Sequence, residues 1–177
     1  MTVLLDDHNQ LQLCIIDNNY NVYCSSSDIS QALSPHGWAD YRQFIDAKVS
    51  SIAMISSEGN LYLAYSQIVP PFDVYVTRSD EFGATWSYPA LVSDASIHNE
   101  ISVNFSAAAG TDGTIHIAWA QHKSPDGYPP QRIFYAQSKD KGDIWSAPLE
   151  IAAGEYRAAT LLVSPDNNIY LEYNRAA

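Results

Sequence analysis

Two turns with the same spacing of side chains constrain this chain more than any other feature of its sequence. Residues 138–145 read Ser-Lys-Asp-Lys-Gly-Asp-Ile-Trp. In such a turn, serine and aspartate can accept hydrogen bonds from the backbone, glycine can adopt a positive φ, and tryptophan can cover the flanking strands. Residues 79–86, Ser-Asp-Glu-Phe-Gly-Ala-Thr-Trp, repeat the pattern with glutamate in place of aspartate. The residues that define the two turns are Ser79, Glu81, Gly83 and Trp86 in the first and Ser138, Asp140, Gly142 and Trp145 in the second.

Both turns belong to the same larger sequence pattern. Each follows a stretch of alternating apolar residues, at 73–78 and at 132–137, and each precedes a Ser-X-Pro triplet, at 87–89 and at 146–148. The spacing Ser-X-Asp-X-Gly-X-X-Trp, repeated behind matching strands, resembles the Asp-box repeat (bacterial neuraminidase repeat) of the sialidase superfamily. The resemblance implies a β-propeller in which these turns lie on the rim, away from the catalytic face.

A hairpin pattern recurs four times along the chain. In each copy, an apolar strand leads through a turn rich in Asp, Gly and Asn into a second strand with period-two alternation. A third strand follows in the first three copies, although the first copy lacks the glycine and tryptophan of the turn. The pattern divides the chain into repeats at 1–48, 49–97 and 98–156 and a half-repeat at 157–177.

A four-stranded repeat of roughly 50 residues has the size of a propeller blade. We therefore predict an all-β fold, a β-propeller of four-stranded blades with about three and a half repeats in one partial domain over residues 1–177. The helix-like stretch 41–48 is short and could equally be the fourth strand of the first repeat. Because a propeller closes with roughly 4 to 8 blades, we expect a second copy of the chain or additional sequence to complete the ring, with a homodimer favoured.

Charge and composition exclude several classes of partner. The net charge of −11 argues against nucleic acid and anionic membrane surfaces, which attract Lys and Arg. No apolar run approaches the roughly 20 residues that a membrane helix needs. Cys14 and Cys24 lie on predicted neighbouring strands, where a disulfide is possible but two buried thiols are the favoured interpretation. The acidity and the two cysteines lean slightly toward an extracellular setting.

The sialidase resemblance implies a particular chemistry. Enzymes of that superfamily hold the sugar carboxylate with three arginines, attack with a tyrosine assisted by a glutamate, and use an aspartate as acid and base. This chain lacks the Arg-Ile-Pro type of opening signature. Arg78 and Arg132 lie inside predicted repeat strands, where Arg78 is expected to face solvent. Neither an acid/base aspartate nor a nucleophilic tyrosine can be singled out, so the catalytic residues stay unknown.

Two short segments enter the strands that should line the central cavity of a propeller. The segment His-Asn-Glu at 98–100 precedes the third repeat and resembles the stretch that carries the assisting glutamate in sialidases. The segment Glu-Tyr-Arg at 155–157 enters the half-repeat, where related families place an arginine. Ordinary exposed charges at strand entries are the favoured interpretation, but a glutamate and an arginine from adjacent blades could bind a polar ligand together. The ligand-binding candidates are His98, Glu100, Glu155 and Arg157.

Three functions fit these features. The first, which we favour, is a non-catalytic propeller module that binds carbohydrate or another polar ligand. The second is a sialidase-type exo-glycoside hydrolase whose site is completed by a second chain or by missing blades, and the third is a scaffold or assembly protein. The sequence contains no phosphate-binding loop and no histidine pair with metal spacing, so we predict neither a cofactor nor a metal. The residues of the two turns are expected to be structural.

Overall fold

The protein forms four antiparallel sheets whose strands follow one another in chain order. Three sheets have four strands and the last has two. The computed structural model describes residues 1–40, 42–45, 47–93, 101–122, 132–154 and 156–175, with the backbone alone for 42–45, 156–158 and 175. Grouped by sheet, the strands are β1 (Thr2–Leu5), β2 (Gln10–Ile16), β3 (Val22–Asp28) and β4 (Arg42–Ile45); β5 (Val49–Ser57), β6 (Asn60–Gln67), β7 (Val74–Ser79) and β8 (Ala90–Leu91); β9 (Ser102–Ala109), β10 (Ile115–Gln121), β11 (Arg132–Ser138) and β12 (Leu149–Ala153); β13 (Tyr156–Val163) and β14 (Ile169–Arg175).

The first two strands of each sheet form the hairpin that the turn sequences predict. In the first hairpin, the Asp6 carboxylate accepts hydrogen bonds from the backbone amides of His8 and Gln10, both at 2.9 Å. Asp112 accepts the Thr114 amide at 3.0 Å in the third hairpin. Short acidic side chains therefore satisfy the amides of these turns, as their composition indicates.

Consecutive sheets pack face to face, and we name each contact between them a seam. The second strands β6 and β10 are buried along nearly their whole length because a sheet covers each of their faces. The first strands β1, β5, β9 and β13 contact one another in turn. The predicted all-β fold is confirmed: the sheets are blades of a partial β-propeller with first strands adjacent. The first seam, between the first and second sheets, buries Cys14, Val22, Val49, Ile52, Met54, Leu63 and Tyr65; the second seam buries Ile55, Tyr62, Ala64, Val74, Val76, Val92, Ile115, Ile117, Trp119, Phe134 and Ala136.

Three details differ from or extend the sequence-based expectations. The favoured interpretation of Cys14 and Cys24 as thiols is wrong, because they are directly opposed on β2 and β3 and form a disulfide. The stretch that could have been a helix contains strand β4. After β3, Trp38 pairs with Ser27 in an isolated bridge, so a tryptophan anchors the longer first turn as well. Within the described ranges, no helix is long and apolar enough to cross a membrane.

Candidate functional site

We name one end of the sheets the entry end. There the strands β5, β9 and β13 begin, at Val49, Ser102 and Tyr156. The opposite end, with the hairpin turns and the two Gly-Trp turns, is the turn end. Arg157 lies in β13, but its side chain is outside the described part of the chain. The other candidates, His98, Glu100 and Glu155, lie outside the described residues, and the convergence of all four on one ligand stays a prediction.

The buried Ser66 and Ser102 and the half-buried Ser50 tie the strands together at the entry end. The hydroxyl oxygens of Ser50 and Ser66 lie 2.5 Å apart. The Ser66 hydroxyl donates to the backbone carbonyl of Ser102 at 2.6 Å, and the Ser50 hydroxyl donates to the same carbonyl at 3.1 Å. The start of β9, two residues after Glu100, is therefore held against the second sheet. Sequence analysis missed this cluster because a serine at a strand end is common and its partner is distant in the chain.

A histidine follows β10 at the same end. The backbone amide of His122 donates to the Ile101 carbonyl at 3.0 Å, next to the segment that carries Glu100. Burial lowers the pKa of His122 below its ordinary value, because desolvation disfavours the charged imidazolium. The ring is therefore neutral at pH 7. No motif in the sequence singles out His122.

The two arginine side chains that the structure describes do not form an anion-binding cluster. Arg132 begins β11, lies 3.8 Å from a Glu150 carboxylate oxygen, and stacks with its guanidinium 5.2 Å from the centre of the Phe134 ring. Arg78 lies near the other end of its strand, β7. It donates to the Lys141 carbonyl at 2.8 Å and to an Asp143 carboxylate oxygen at 3.3 Å. The expectation that Arg78 simply faces solvent is wrong, since it bridges two sheets.

The two Gly-Trp turns have the same internal geometry. The Ser79 hydroxyl oxygen accepts the Gly83 amide at 2.8 Å, and the Ser138 hydroxyl oxygen accepts the Gly142 amide at 2.9 Å. The two glycines have φ angles of +87° and +85°, which favour glycine. Each tryptophan indole donates to the carbonyl of its glycine, at 3.2 Å for Trp86 and at 3.0 Å for the other copy. These contacts all lie within the turn that they close; that the turn residues have a purely structural role stays a prediction.

The acidic residue distinguishes the two turns. The Asp140 carboxylate accepts the Ile144 amide at 2.9 Å and the Ser138 hydroxyl at 2.7 Å. These hydrogen bonds, the Ile144 amide first, lower the pKa of Asp140. The longer Glu81 instead accepts the Thr85 hydroxyl at 2.6 Å. As its length indicates, glutamate binds within the turn differently from aspartate.

The first seam contains a groove near the turn end. Its volume is about 410 Å³. One wall comes from residues 24–26 of β3 with Asp40, the other from residues 82–86 of the second sheet's turn, and the Cys14–Cys24 disulfide lies at its base. Gln12, which is 5% exposed, reaches it from β2. We name this cavity the first groove.

The second seam has a groove at the corresponding place, with a volume of about 260 Å³. Its walls are residues 76–78 of β7, residues 87–90, and Gly142 with Asp143, and we name it the second groove. Gln12 in the first sheet and Tyr62 in the second hold the same register position. Gln12 pairs with Ser26 of β3, and Tyr62 pairs with Arg78 of β7. A Cβ at Gly142 would lie 3.3 Å from the Tyr62 ring. In the second seam, the Tyr62 ring therefore fills space that stays open beside the smaller Gln12 in the first seam.

Comparison with known proteins finds similarity in structure alone. No protein-family model matches the chain, and no curated protein matches it. A crystal structure of a protein of unknown function from Dyadobacter fermentans DSM 18053 is 14% identical with a TM-score of 0.69, covering 97% of this chain and 55% of that one. The Hadza microbial sialidase Hz136 is 16% identical with a TM-score of 0.67, covering 98% of this chain and 41% of that one.

An α-L-arabinanase from Penicillium chrysogenum, complexed with arabinobiose, is 8% identical with a TM-score of 0.61, covering 96% of this chain and 57% of that one. The chain thus spans about half the length of these structures. At such identities the likeness shows the fold. The chain is a partial β-propeller of a kind shared with carbohydrate-active enzymes.

Proposed function

We propose that the chain is a non-catalytic propeller module of the Asp-box type that binds a carbohydrate or another polar ligand at the entry end. The Asp-box assignment is supported by the matching geometry of the two Gly-Trp turns. The observation that carries the choice of ligand is the shared fold with a sialidase and with an arabinanase bound to arabinobiose. The absence of catalysis rests on the sequence, in which no acid/base aspartate or nucleophilic tyrosine can be singled out.

Four residues would contact this ligand. Arg157 and Glu100 would enter from adjacent sheets, with His98 and Glu155 beside them. An arginine guanidinium matches a carboxylate in a bidentate fork, so an anionic saccharide is the ligand of choice. The serine cluster supports the proposal by fixing the backbone of Ser102 close to Glu100.

The test is binding of N-acetylneuraminic acid and galacturonic acid to the 177-residue chain by titration calorimetry. We expect binding that Arg157→Ala and Glu100→Gln weaken by about tenfold or more, since a charge-assisted contact contributes about 1.5–3 kcal/mol. Arg78→Ala is the matched control, because that arginine lies away from the entry end and should leave binding unchanged. No binding by the unaltered chain, or equal losses in all three variants, would contradict the proposal.

A sialidase-type exo-glycoside hydrolase is the second candidate function, favoured by the likeness to Hz136. Its site would need additional blades or a second chain, because the described arginines are held in other contacts. Hydrolysis of a fluorogenic N-acetylneuraminic acid glycoside, abolished by Arg157→Ala, would establish it. Binding without hydrolysis would favour the non-catalytic module.

We also propose that a second copy of the chain completes the ring. Apolar side chains are exposed at both ends of the row of sheets: Leu162 and Tyr170 on the last sheet are 60% and 58% exposed, and Val3 and Leu5 on β1 are exposed as well. Exposed apolar sheet faces and strand edges favour association. Light scattering after size exclusion should give a mass near twice that of one chain, and a monomer at all concentrations would refute this arrangement.

A further inference from the structure

The two grooves are corresponding places in consecutive seams, but their linings differ in chemistry. We propose that the first groove is a second carbohydrate site, separate from the entry end and selective for neutral saccharides. Ligand sites in proteins combine apolar and aromatic walls with a few fixed polar groups. The first groove has both, and its volume of about 410 Å³ is sufficient for a small saccharide.

Two aromatic side chains form one wall of the first groove. Phe82 is 43% exposed and its ring centre lies 4.3 Å from that of His8, which meets it edge-on. The half-buried Trp86 packs against the core of the first seam. Its indole nitrogen donates to the Gly83 carbonyl at 3.2 Å, which fixes the orientation of the ring. Both rings are thus positioned before any ligand binds, and apolar faces of this kind pack against the C–H groups of a sugar ring.

Polar groups face the aromatic wall. The side-chain amide of Gln12 donates to an Asp6 carboxylate oxygen at 3.1 Å. That bond directs the Gln12 amide oxygen toward the groove, where it would lie 3.6 Å from a Cβ at Gly83. The exposed Asp40 and Ser26 of β3 lie in the wall opposite the aromatic rings. Amide and carboxylate oxygens accept hydrogen bonds from sugar hydroxyls.

Charge selects among saccharides. The described lining of the first groove contains the Asp40 carboxylate and no Lys or Arg side chain. Among the described lining residues, an anionic sugar would therefore meet the like charge of Asp40, in a chain whose net charge is −11. A neutral saccharide avoids this cost and can donate its hydroxyls to the carboxylate. Among the entry-end candidates, Arg157 would supply the cation that an anionic saccharide needs.

The first groove has a rigid base, which favours ligand binding. In the second groove, larger side chains occupy part of the corresponding space, which disfavours binding. The disulfide joins β2 and β3 directly at the base of the first groove, and a pre-organised site loses less conformational entropy on binding. In the second groove, Tyr62 occupies the position of Gln12, and Arg78 crosses the seam to the Lys141 carbonyl. The corresponding residue in the first groove is Ser26, whose short side chain leaves the seam open.

The test uses lactose, cellobiose, mannobiose and arabinobiose as neutral probes, with saturation-transfer NMR and titration calorimetry on the whole chain. We expect at least one to bind with a Kd below about 10 mM. Gln12→Tyr places in the first groove the side chain that stands at the same position in the second seam. Phe82→Asn removes one of the two aromatic rings of the wall, at a backbone φ of +54°, which asparagine tolerates. Each variant should weaken binding by about tenfold or more.

Two controls distinguish the first groove from the second groove and from the entry end. Tyr88→Ala removes an aromatic ring that is 96% exposed beside the second groove and should leave binding unchanged. Arg157→Ala should weaken anionic saccharides and not neutral ones. If no neutral probe binds, or if Phe82→Asn and a folded Gln12→Tyr both bind normally, the inference is wrong. If Arg157→Ala alone abolishes neutral binding, the ligand sits at the entry end and the proposed function survives without this second site.

Discussion

The first and second seams join sheets with the same strand order, and they are packed differently. In the second seam, the fully buried Trp119 stacks between Phe105 and Phe134, with ring centres 6.2 and 5.8 Å away. In the first seam, the core is made of aliphatic side chains, a disulfide, and a stack of Tyr65 on Tyr75 at 5.5 Å. The aromatic seam retains the smaller groove, of about 260 Å³, and the disulfide seam the larger one, of about 410 Å³.

The side chain at one register position accounts for the different space that the two seams leave open. Tyr62 fills the second seam against Gly142, and burial raises the pKa of its phenol, which stays neutral. Gln12 at the same position leaves space in the first. The backbone is alike in both seams, so a binding site can arise without any change in fold. Four measurements test whether the two seams differ in this way.

Removal of the buried indole should have the largest effect. Trp119→Ala leaves a cavity in the second seam and should lower the free energy of unfolding by about 3–5 kcal/mol. Trp86→Ala in the first seam should cost less, because Trp86 is half-buried and borders the groove. Urea unfolding of both variants checks the order, with Trp119→Phe as the milder control. Equal losses would show that the two seams are packed with the same density.

Loss of the disulfide should come next. The double variant Cys14→Ala, Cys24→Ala should be about 2–3 kcal/mol less stable, because the bond closes a loop between residues separated by 10 positions. Guanidinium unfolding with and without dithiothreitol measures the loss. The reductant should destabilise the unaltered chain and leave the double variant unaffected. A chain indifferent to the reductant would refute the disulfide.

Alanine substitution of the two turn glycines separates two contributions to the loss of stability, the strained backbone conformation and the contact across the seam. Gly83 and Gly142 have nearly equal φ, so alanine at either should cost on the order of 1 kcal/mol for a positive φ. A Cβ at Gly142 would also press on Tyr62 at 3.3 Å, whereas one at Gly83 would meet Gln12 at an ordinary 3.6 Å. Gly142→Ala should therefore be the more destabilising in thermal unfolding. The reverse order would show that the second seam accommodates the added methyl group more easily than the first.

The smallest effect should be the acid dependence of the two turns. The folded-state pKa of Asp140 is lowered by its hydrogen bonds, so its contribution is present above the ordinary pKa of 3.8 and is lost as the pH falls through the folded value. Asp140→Ala should cost about 1 kcal/mol or less at pH 7 and nothing in strong acid. Glu81→Ala should cost less, since its carboxylate binds a side chain rather than an amide. A pH-independent difference between Asp140→Ala and the unaltered chain would exclude this role.

Much of the fold could be predicted from the sequence, and much less of the site. The hairpins and both Gly-Trp turns formed as their residues indicate, since each is closed by contacts within a few positions, such as Ser138 to Gly142. The state of the cysteines was predicted wrongly, because strand alternation does not tell whether two thiols are directly opposed. The bridge from Arg78 to Lys141 was missed for a similar reason: it joins residues of different sheets.

The local elements can be predicted from the sequence alone: strand periodicity, acidic hairpin turns, and the glycine and tryptophan of each repeated turn. Tertiary structure alone decided the seams. Gln12 faces Gly83 and Tyr62 faces Gly142 across sheets, and no local pattern indicates that these positions correspond. The physical reason is range: hydrogen bonds of a turn are set by neighbours in the chain, whereas the volume left in a seam depends on side chains brought together by sheet packing.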